Sequence, residues 1–423
     1  MSAASLLKNW KKRNPQIKNI VLFISDALRW DYTPKSVLSR GVAFKTVSSC
    51  IWTPASFSSI VTGLYPQHHG VYSFCEDRLA EKVSSLLNLY GYNTSLWTEN
   101  TWIGYDQPTS SPLYRLLRAK YRVSLKDLQP PFVYLEDEKG GHCPYGWSAT
   151  DKDYEEWDCL RFFQDFGKRN EKMLRKKYQE GVERSAREFE SRMRIIDDRG
   201  LADETLVIFL SDHGELLGEY GGVVGHGELT APEVVYVPTV LIHPDLPGGK
   251  SFEKEGVLRH VDLYPTLCDL LSRRVETRVD GVSLLTIEKL PDLGFTYFIE
   301  KGKALSHELK EVSVWDKDGG YLFRRGASLP LLILRAFHLT MLSNSSLTAV
   351  YQRQRMRKFP STLKNYGKLL THFCRVSTKY GSPNFSLKQA KIFINRIYRQ
   401  QIKMTEKEKI KIIVNWLKKE GKI

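Results

Sequence analysis

The segment Asn19–Ser25, NIVLFIS, constrains the fold more than any other stretch of this chain. It is a short, nearly unbroken apolar run rich in β-branched residues. A strand with one wet face alternates apolar and polar residues. An unbroken run instead predicts apolar neighbours on both sides, as in a buried strand of a parallel sheet. Further candidate strands lie at Ser95–Trp97, Phe132–Leu135, Thr205–Leu210 and Thr239–Ile242. Helical patterns at Leu79–Tyr90, Asp153–Arg194 and Val261–Leu271 separate them. Strands alternating with helices predict an α/β fold, a mostly parallel sheet covered by helices on both faces.

After Gly281 the pattern changes. Thr296–Ile299, Val312–Trp315 and Tyr321–Arg324 read as short strands around the turn Asp316–Gly320, which predicts a small antiparallel subdomain. From about Pro330 onward the chain reads as helical and basic. The expected organisation is therefore a main α/β domain over 18–328, with its β subdomain near 290–328, and a basic helical C-terminal extension over 329–423.

Charge follows the same division. The chain of 423 residues carries a formal +15, but residues 331–423 hold 20 Lys and Arg against 3 Asp and Glu. The first 330 residues hold 43 basic against 45 acidic side chains. An excess confined to one segment suggests contact with a polyanion, such as an anionic membrane surface, or else a solvated Lys-rich helix. Nucleic acid is the poorer fit, because few aromatic residues stand between the basic ones to stack on bases. The six cysteines (50, 75, 143, 159, 268 and 374) show no C-x-x-C pair and read as reduced thiols of a cytoplasmic protein. The polar, basic start has no apolar core of a signal peptide, and no window approaches the ~20 apolar residues of a membrane span.

Three polar motifs follow apolar runs. Ser25-Asp26-Ala27 closes the first strand, at the carboxyl edge where open α/β sheets bind ligands. Thr53-Pro54 reads as a helix cap followed by a first-turn proline, with Gly63 as the stop. Such a start presents a hydroxyl and free N–H groups to an anion. Ser211-Asp212-His213-Gly214-Glu215 follows the strand TLVIFL, and Gly225-His226-Gly227 comes soon after. Each motif alone has a plain structural reading as a cap or a turn. Together, Asp and His side chains at strand ends supply the donor types that hold zinc-like metals.

These motifs resemble the sulfatase branch of the alkaline phosphatase superfamily. The resemblance rests on VLFISDALRWD (21–31), TPASFSSIVTGLYPQHHG (53–70), TLVIFLSDHGELLGE (205–219), VPTVLIHP (237–244), HVDLYPTLCDLL (260–271) and VDGVSLL (279–285), in the family's order. It implies an alkaline-phosphatase-like fold and a metal-dependent sulfuric or phosphoric ester hydrolase or transferase. By resemblance Asp26, Asp212 and His213 match the family's metal ligands, and Thr53, also a ligand, matches the nucleophile. His69 matches a position near the anion. His142 and His226 match substrate-contacting or proton-donating histidines, and His226 with Asp137 or His142 is the candidate set for a second metal.

The chain also departs from that pattern. Family members of the main type carry a Cys or Ser converted to formylglycine, followed by Pro two places on and Arg four places on. Here the position holds Thr53, with Pro54 one residue early and Phe57 in place of the Arg. Ala27 replaces the second Asp of the first motif. A plain hydroxyl nucleophile suits phosphorus better than sulfur, which tilts the expected substrate toward phosphate or phosphonate esters. Mixed Asp/His ligation favours zinc or manganese over calcium, which prefers oxygen donors. One ion is expected, and two are compatible with the residues. The alternative is a sulfatase-fold binding protein with a degraded site, tethered to a membrane or glycan by its basic tail.

Overall fold

The run Asn19–Ser25 forms β1, and all seven of its residues are buried in the computed structural model. The structure describes residues 1–396 apart from 15, 73–82, 101–102, 170, 276, 302–307, 326–327 and 359–362. The strands follow in chain order as β2 Val42–Val47, β3 Asn93–Thr98, β4 Phe132–Glu138, β5 Thr205–Leu210, β6 Leu216–Leu217, β7 Val224–Gly225 and β8 Tyr236–Ile242. Then come β9 Lys250–Ser251, β10 Leu258–Arg259, β11 Gly294–Lys301, β12 Glu308–Trp315, β13 Gly319–Arg325 and β14 Ser377–Gly381.

The large sheet runs β10-β2-β8-β5-β1-β4-β3, with β9 also paired to β2. β1 is flanked on both sides by parallel partners, β4 and β5. Alternate residues of β1 point to opposite faces, as strand geometry requires. Ile20, Leu22 and Ile24 join Phe57, Ile60, Leu263 and Leu267 on one face. Val21 and Phe23 join Tyr178, Val182 and Phe189 on the other. That double burial is why the strand sequence is unbroken.

Two features of the sheet were not foreseen. β2 has no counterpart among the expected strands, and β8 runs antiparallel to both β2 and β5. The helix expected over Leu79–Tyr90 lies partly outside the described residues, and its described part holds a single turn, Leu86–Asn88. The charged stretch Asp153–Arg194 resolves into two helices, Cys159–Phe166 and Glu171–Asp198.

The small sheet is antiparallel, in the order β11-β12-β13-β14. Its fourth strand comes from the basic segment, so that segment is not wholly helical as expected: helices Leu329–Phe337, Leu347–Lys358 and Leu363–Phe373 lead into β14, which pairs with β13. The segment is also tied to the large domain. Gln352 Nε2 donates to the Gly221 and Gly222 carbonyls at 2.8 Å, and Arg355 pairs with Glu171.

The cysteine expectation is overturned at one place. Cys143 and Cys159 are joined in a disulfide, with Cα atoms 5.4 Å apart. Sixteen residues of separation carry no framework signal, and only the folding back of the 143–159 loop brings the two together. Cys50, Cys268 and Cys374 are free thiols.

Candidate active site

Every strand-end motif converges on one edge of the large sheet. Asp26 follows β1, Asp137 lies near the end of β4, and Asp212 and His213 follow β5. The parallel register β4-β1-β5 brings these termini level, pairing Ile24 with both Asp137 and Leu210. Opposite them begins the helix Thr53–Thr62, all ten residues of which are buried. It ends at Gly63, whose φ of 70° gives the left-handed C-terminal stop. Thr53 is the first residue of this helix and Trp52 its cap, one position earlier than expected. The Ser56 N–H bonds to the Trp52 carbonyl at 3.1 Å, so it is committed within the helix and does not face an anion.

The Thr53 hydroxyl lies 3.2 Å from His213 Nε2. The same nitrogen is 3.7 Å from Asp26 Oδ1 and 3.4 Å from Asp212 Oδ2. His213 Nδ1 faces the Gly214 carbonyl at 3.0 Å. A proton donated there leaves the Nε2 lone pair directed at the cluster, the tautomer a metal-ligating histidine uses. Asp212 Oδ1 accepts from the Ala27 and His213 N–H groups at 3.2 and 2.9 Å. Asp26 Oδ1, Asp212 Oδ2 and Asp137 Oδ1 are buried with no hydrogen-bond donor.

Electrostatics follow from this packing. Burial, with Asp212 and Asp137 close by, pushes the Asp26 carboxyl well above the usual carboxylate range. Burial and Asp212 push Asp137 up to about 8. Burial pushes His213 down to about 4. Buried carboxylates are ordinarily paired or bound to metal. Asp26, Asp212 and His213 each present one donor atom, all within 4.8 Å of one another. The orphaned oxygens and this donor set fit a divalent cation.

The remaining candidates separate. His226 packs against His213, with ring centroids 4.1 Å apart, and its Nδ1 meets Glu215 Oε2 at 2.8 Å. His142 lies next to His226 at 5.1 Å and directs Nδ1 at the Cys143 carbonyl, 2.7 Å away. Burial and His226 hold His142 well below the usual imidazole range. His213, Glu215 and His226 form a second set of donors within 4.8 Å. His69 does not join them: its ring nitrogens meet Ser59 Oγ at 3.1 Å and the Val71 N–H at 3.0 Å. Cys50 is buried, and its thiol is pushed up to about 12.

Sequence reasoning assigned no role to Glu215, Tyr145, His260 or Trp157. Glu215 accepts from the Tyr145 hydroxyl at 2.7 Å, which fixes the carboxylate that holds His226. The signal was present, since residues i and i+2 of an extended segment share a face and Glu215 stands two places after His213. His260 meets the Ser211 carbonyl at 3.0 Å and so braces the turn that carries Asp212. Trp157 reaches His142 at 5.2 Å only because the 143–159 loop folds back, which no spacing reveals. Gly214 allows the close approach of the Glu233 carbonyl, with which a Cβ there would collide.

A cavity of about 350 Å³ opens beside the cluster, lined by Trp97, Asp137, Lys139, Trp147, Glu156 and Trp157 among others. Lys139 Nζ lies over the rings of Trp147 and Trp157 at 4.5 and 4.3 Å.

A mostly parallel sheet between helices, with a separate small antiparallel sheet, defines the alkaline-phosphatase-like fold class. Within it, this chain belongs to the sulfatase family, whose pattern matches residues 18–272. The low-salt glycan biosynthesis sulfotransferase Agl7 of Haloferax volcanii is 33% identical over 319 residues, 74% of this chain and 76% of that protein. The multifunctional alkaline phosphatase superfamily protein PehA of Trinickia caryophylli is 33% identical over 92 residues, 21% of this chain and 17% of PehA. Two solved structures are similar in fold. A 2-O GAG sulfatase superposes with a TM-score of 0.56 at 15% identity, over 87% of this chain and 96% of that one. The phosphonate monoester hydrolase of Agrobacterium radiobacter gives 0.54 at 16% identity, over 82% and 96%.

Proposed function

We propose that this chain transfers sulfate or phosphate ester groups through Thr53, with Asp26, Asp212 and His213 holding one divalent metal beside it. The observation that carries the reading is the Thr53 hydroxyl 3.2 Å from His213 Nε2, beside Asp26 Oδ1 and Asp212 Oδ2, which are buried without a hydrogen-bond donor. The Asp/His donor set favours zinc or manganese. A divalent ion held by Asp26, Asp212 and His213 would lower the pKa of the Thr53 hydroxyl and neutralise charge on the ester oxygens.

Thr53 Oγ attacks the sulfur or phosphorus atom as its proton leaves to solvent. The new bond to Oγ forms as the bond to the leaving oxygen breaks. His226, oriented by Glu215, supplies the proton to that oxygen, while His142, kept neutral by burial, lines the site beside it. A second attack at the same atom, by water or an acceptor hydroxyl, releases the group and restores the threonine.

The expected lean toward phosphorus is weakened by the named activity of the Haloferax volcanii relative, a glycan biosynthesis sulfotransferase. The chemistry of Thr53 reconciles the two. Formylglycine clears sulfate by elimination, but a sulfo-threonine has no second hydroxyl for that route. It is cleared only by attack at sulfur, which an acceptor alcohol delivers as well as water. A plain hydroxyl in a sulfatase frame therefore accommodates transfer as readily as hydrolysis, and the sulfotransferase name of the relative inclines the reading to transfer. Trp97, Trp147 and Trp157 around the adjoining cavity offer apolar faces beside carboxylates, the mixed lining that suits a sugar.

The test is a two-substrate assay with an aryl sulfate donor and a sugar acceptor, run beside aryl phosphate and phosphonate donors. Aryl alcohol release reports the first step, and mass gain on the acceptor reports transfer. Thr53→Ala is expected to abolish both while the protein stays folded, and Thr53→Ser to retain part of each. Full turnover by Thr53→Ala removes threonine from the mechanism, and turnover of the phosphorus donors alone removes the sulfuryl reading.

A further inference from the structure

The helix Leu329–Phe337 and the wider turn His338–Leu342 that continues it present an apolar surface to the outside. Leu329, Ile333, Leu334, Phe337 and Leu342 are 48–62% exposed. The one cation of the segment, Arg335, is turned inward and buried, 3.8 Å from the Glu311 carboxylate. Thr340 also faces in, where its hydroxyl meets the Ala336 carbonyl and the Tyr366 hydroxyl at 2.6 and 2.8 Å. A helix on a water-facing surface carries its polar residues outward. Here Leu332 and Ala336 are buried against the protein, yet the outward face is apolar as well, with His338 its one exposed polar side chain. Contiguous exposed apolar surface of this kind marks an interaction site.

Charge identifies the partner. Between Asp318 and Glu406 the chain contains no acidic residue. The helix Leu347–Lys358 is docked to the apolar segment through Arg353, which donates to the Met341 and Ser343 carbonyls at 2.8 Å, and it ends in exposed Arg357 and Lys358. The helix Leu363–Phe373 packs against the helix Leu329–Phe337 and exposes Lys368. An apolar face flanked by exposed cations matches the interface of an anionic bilayer, where acyl chains take the former and headgroups the latter. Among the described residues no helix is long and apolar enough to cross a membrane, so the contact is with one leaflet.

We propose that Leu329–Leu342 is an interfacial anchor that seats the protein on an anionic lipid surface. The inference is independent of the catalytic reading, since it uses none of the residues in the Thr53 cluster. Truncating the basic segment is a poor test, because β14 would be lost from the small sheet. Surface substitutions avoid that difficulty.

The experiment is co-sedimentation of the full chain with phosphatidylcholine vesicles, with and without phosphatidylglycerol, over a range of salt. The wild type is expected to bind the anionic vesicles and to release as salt rises. Leu334→Asp combined with Phe337→Asp should lower the partition coefficient by at least about tenfold at every salt concentration. Arg357→Glu combined with Lys358→Glu should weaken binding to anionic vesicles alone and flatten the salt dependence. Aryl ester turnover and the melting temperature should be unchanged in both, which shows that each variant is folded. The proposal is overturned if the wild type ignores phosphatidylglycerol, or if both variants bind as it does. It is equally overturned if the apolar variant changes the oligomeric mass or the protease sensitivity of residues 397–423 while vesicle binding persists, since the face is then covered by protein.

Discussion

Asp26 at the end of β1 and Glu311 in the small sheet are both fully buried carboxyl groups, yet their proton affinities move in opposite directions. Glu311 meets Arg324 Nε at 2.7 Å, accepts from the Thr230 N–H at 3.0 Å and lies 3.8 Å from Arg335. Burial alone would raise its pKa, but the two guanidinium groups and these hydrogen bonds bring it below the ordinary value. Among the described residues no Arg or Lys is in ion-pair contact with Asp26, and Lys139 acts on it only at longer range. The neighbours of Asp26 are Asp212, Asp137 and Glu215, and they add to the effect of burial. The difference separates two uses of a buried charge. At Glu311 the charge is matched within the chain, and it joins the small sheet to the basic segment through Arg335. At the sheet edge the charge is left unmatched, which costs stability and creates a place for an external cation.

The largest effect should come from breaking the unmatched site. Asp212→Asn is expected to reduce ester turnover by roughly three orders of magnitude or more, as loss of a metal ligand together with its electrostatic role implies. Its stability should tell the opposite story. With metal stripped by a chelator, the variant should melt at or above the temperature of the stripped wild type, because one of several repelling carboxylates is gone. Adding zinc or manganese should raise the wild-type melting temperature and leave the variant's unchanged. A stripped variant that is much less stable than the stripped wild type would mean that Asp212 is a structural residue.

The matched site should respond in stability alone. Glu311→Gln leaves Arg324 buried without its counter-charge and should cost about 3 kcal/mol in chemical denaturation. Turnover at saturating substrate should be little changed below the melting transition. The pH dependence has a definite sign. A carboxyl whose folded pKa lies below its unfolded value contributes stability that is complete above the unfolded value. That contribution is lost as pH falls through the folded one. The gap between wild type and Glu311→Gln should therefore be widest near neutral pH and close on acidification below the ordinary glutamate pKa of about 4.5. A gap that persists unchanged into strong acid would show that packing, not charge, holds this junction.

The two regions also differed in how much of them the sequence disclosed. The strand-end motifs were legible because their chemistry is local: an apolar run of fixed length delivers Asp26 or Asp212 to the sheet edge whatever happens elsewhere. Parallel pairing then makes those ends meet, so Asp26, Thr53, Asp212 and His213 converge as expected. The antiparallel β8 was not legible, because a fully buried strand reads the same in either direction. The Cys143–Cys159 bridge and the approach of Trp157 to His142 depend on loop closure, which leaves no periodic trace. β14 was hidden for another reason. Ser377–Gly381 is a polar edge strand, alternately exposed and buried, inside a segment whose basic composition suggested helix throughout.

Ala27 offers the finest test of the contrast, because it concerns backbone rather than charge. The residue has φ of 57°, in the left-handed region that an alanine adopts at a cost. That conformation aims its N–H at Asp212 Oδ1, 3.2 Å away, while its carbonyl accepts from the Tyr178 hydroxyl at 2.7 Å. The position corresponds to the second Asp of the sulfatase pattern, and Asp tolerates this region better than most residues do. Ala27→Gly removes the steric cost but adds freedom to the unfolded chain, so the net gain should be no more than about 1 kcal/mol. Turnover should stay within about twofold of wild type, since 1.4 kcal/mol corresponds to a factor of ten and the hydrogen bond to Asp212 is kept. A gain in stability with unchanged turnover assigns the strain to the geometry of the sheet edge. A loss of turnover would show that the methyl group itself helps to hold Asp212 in place.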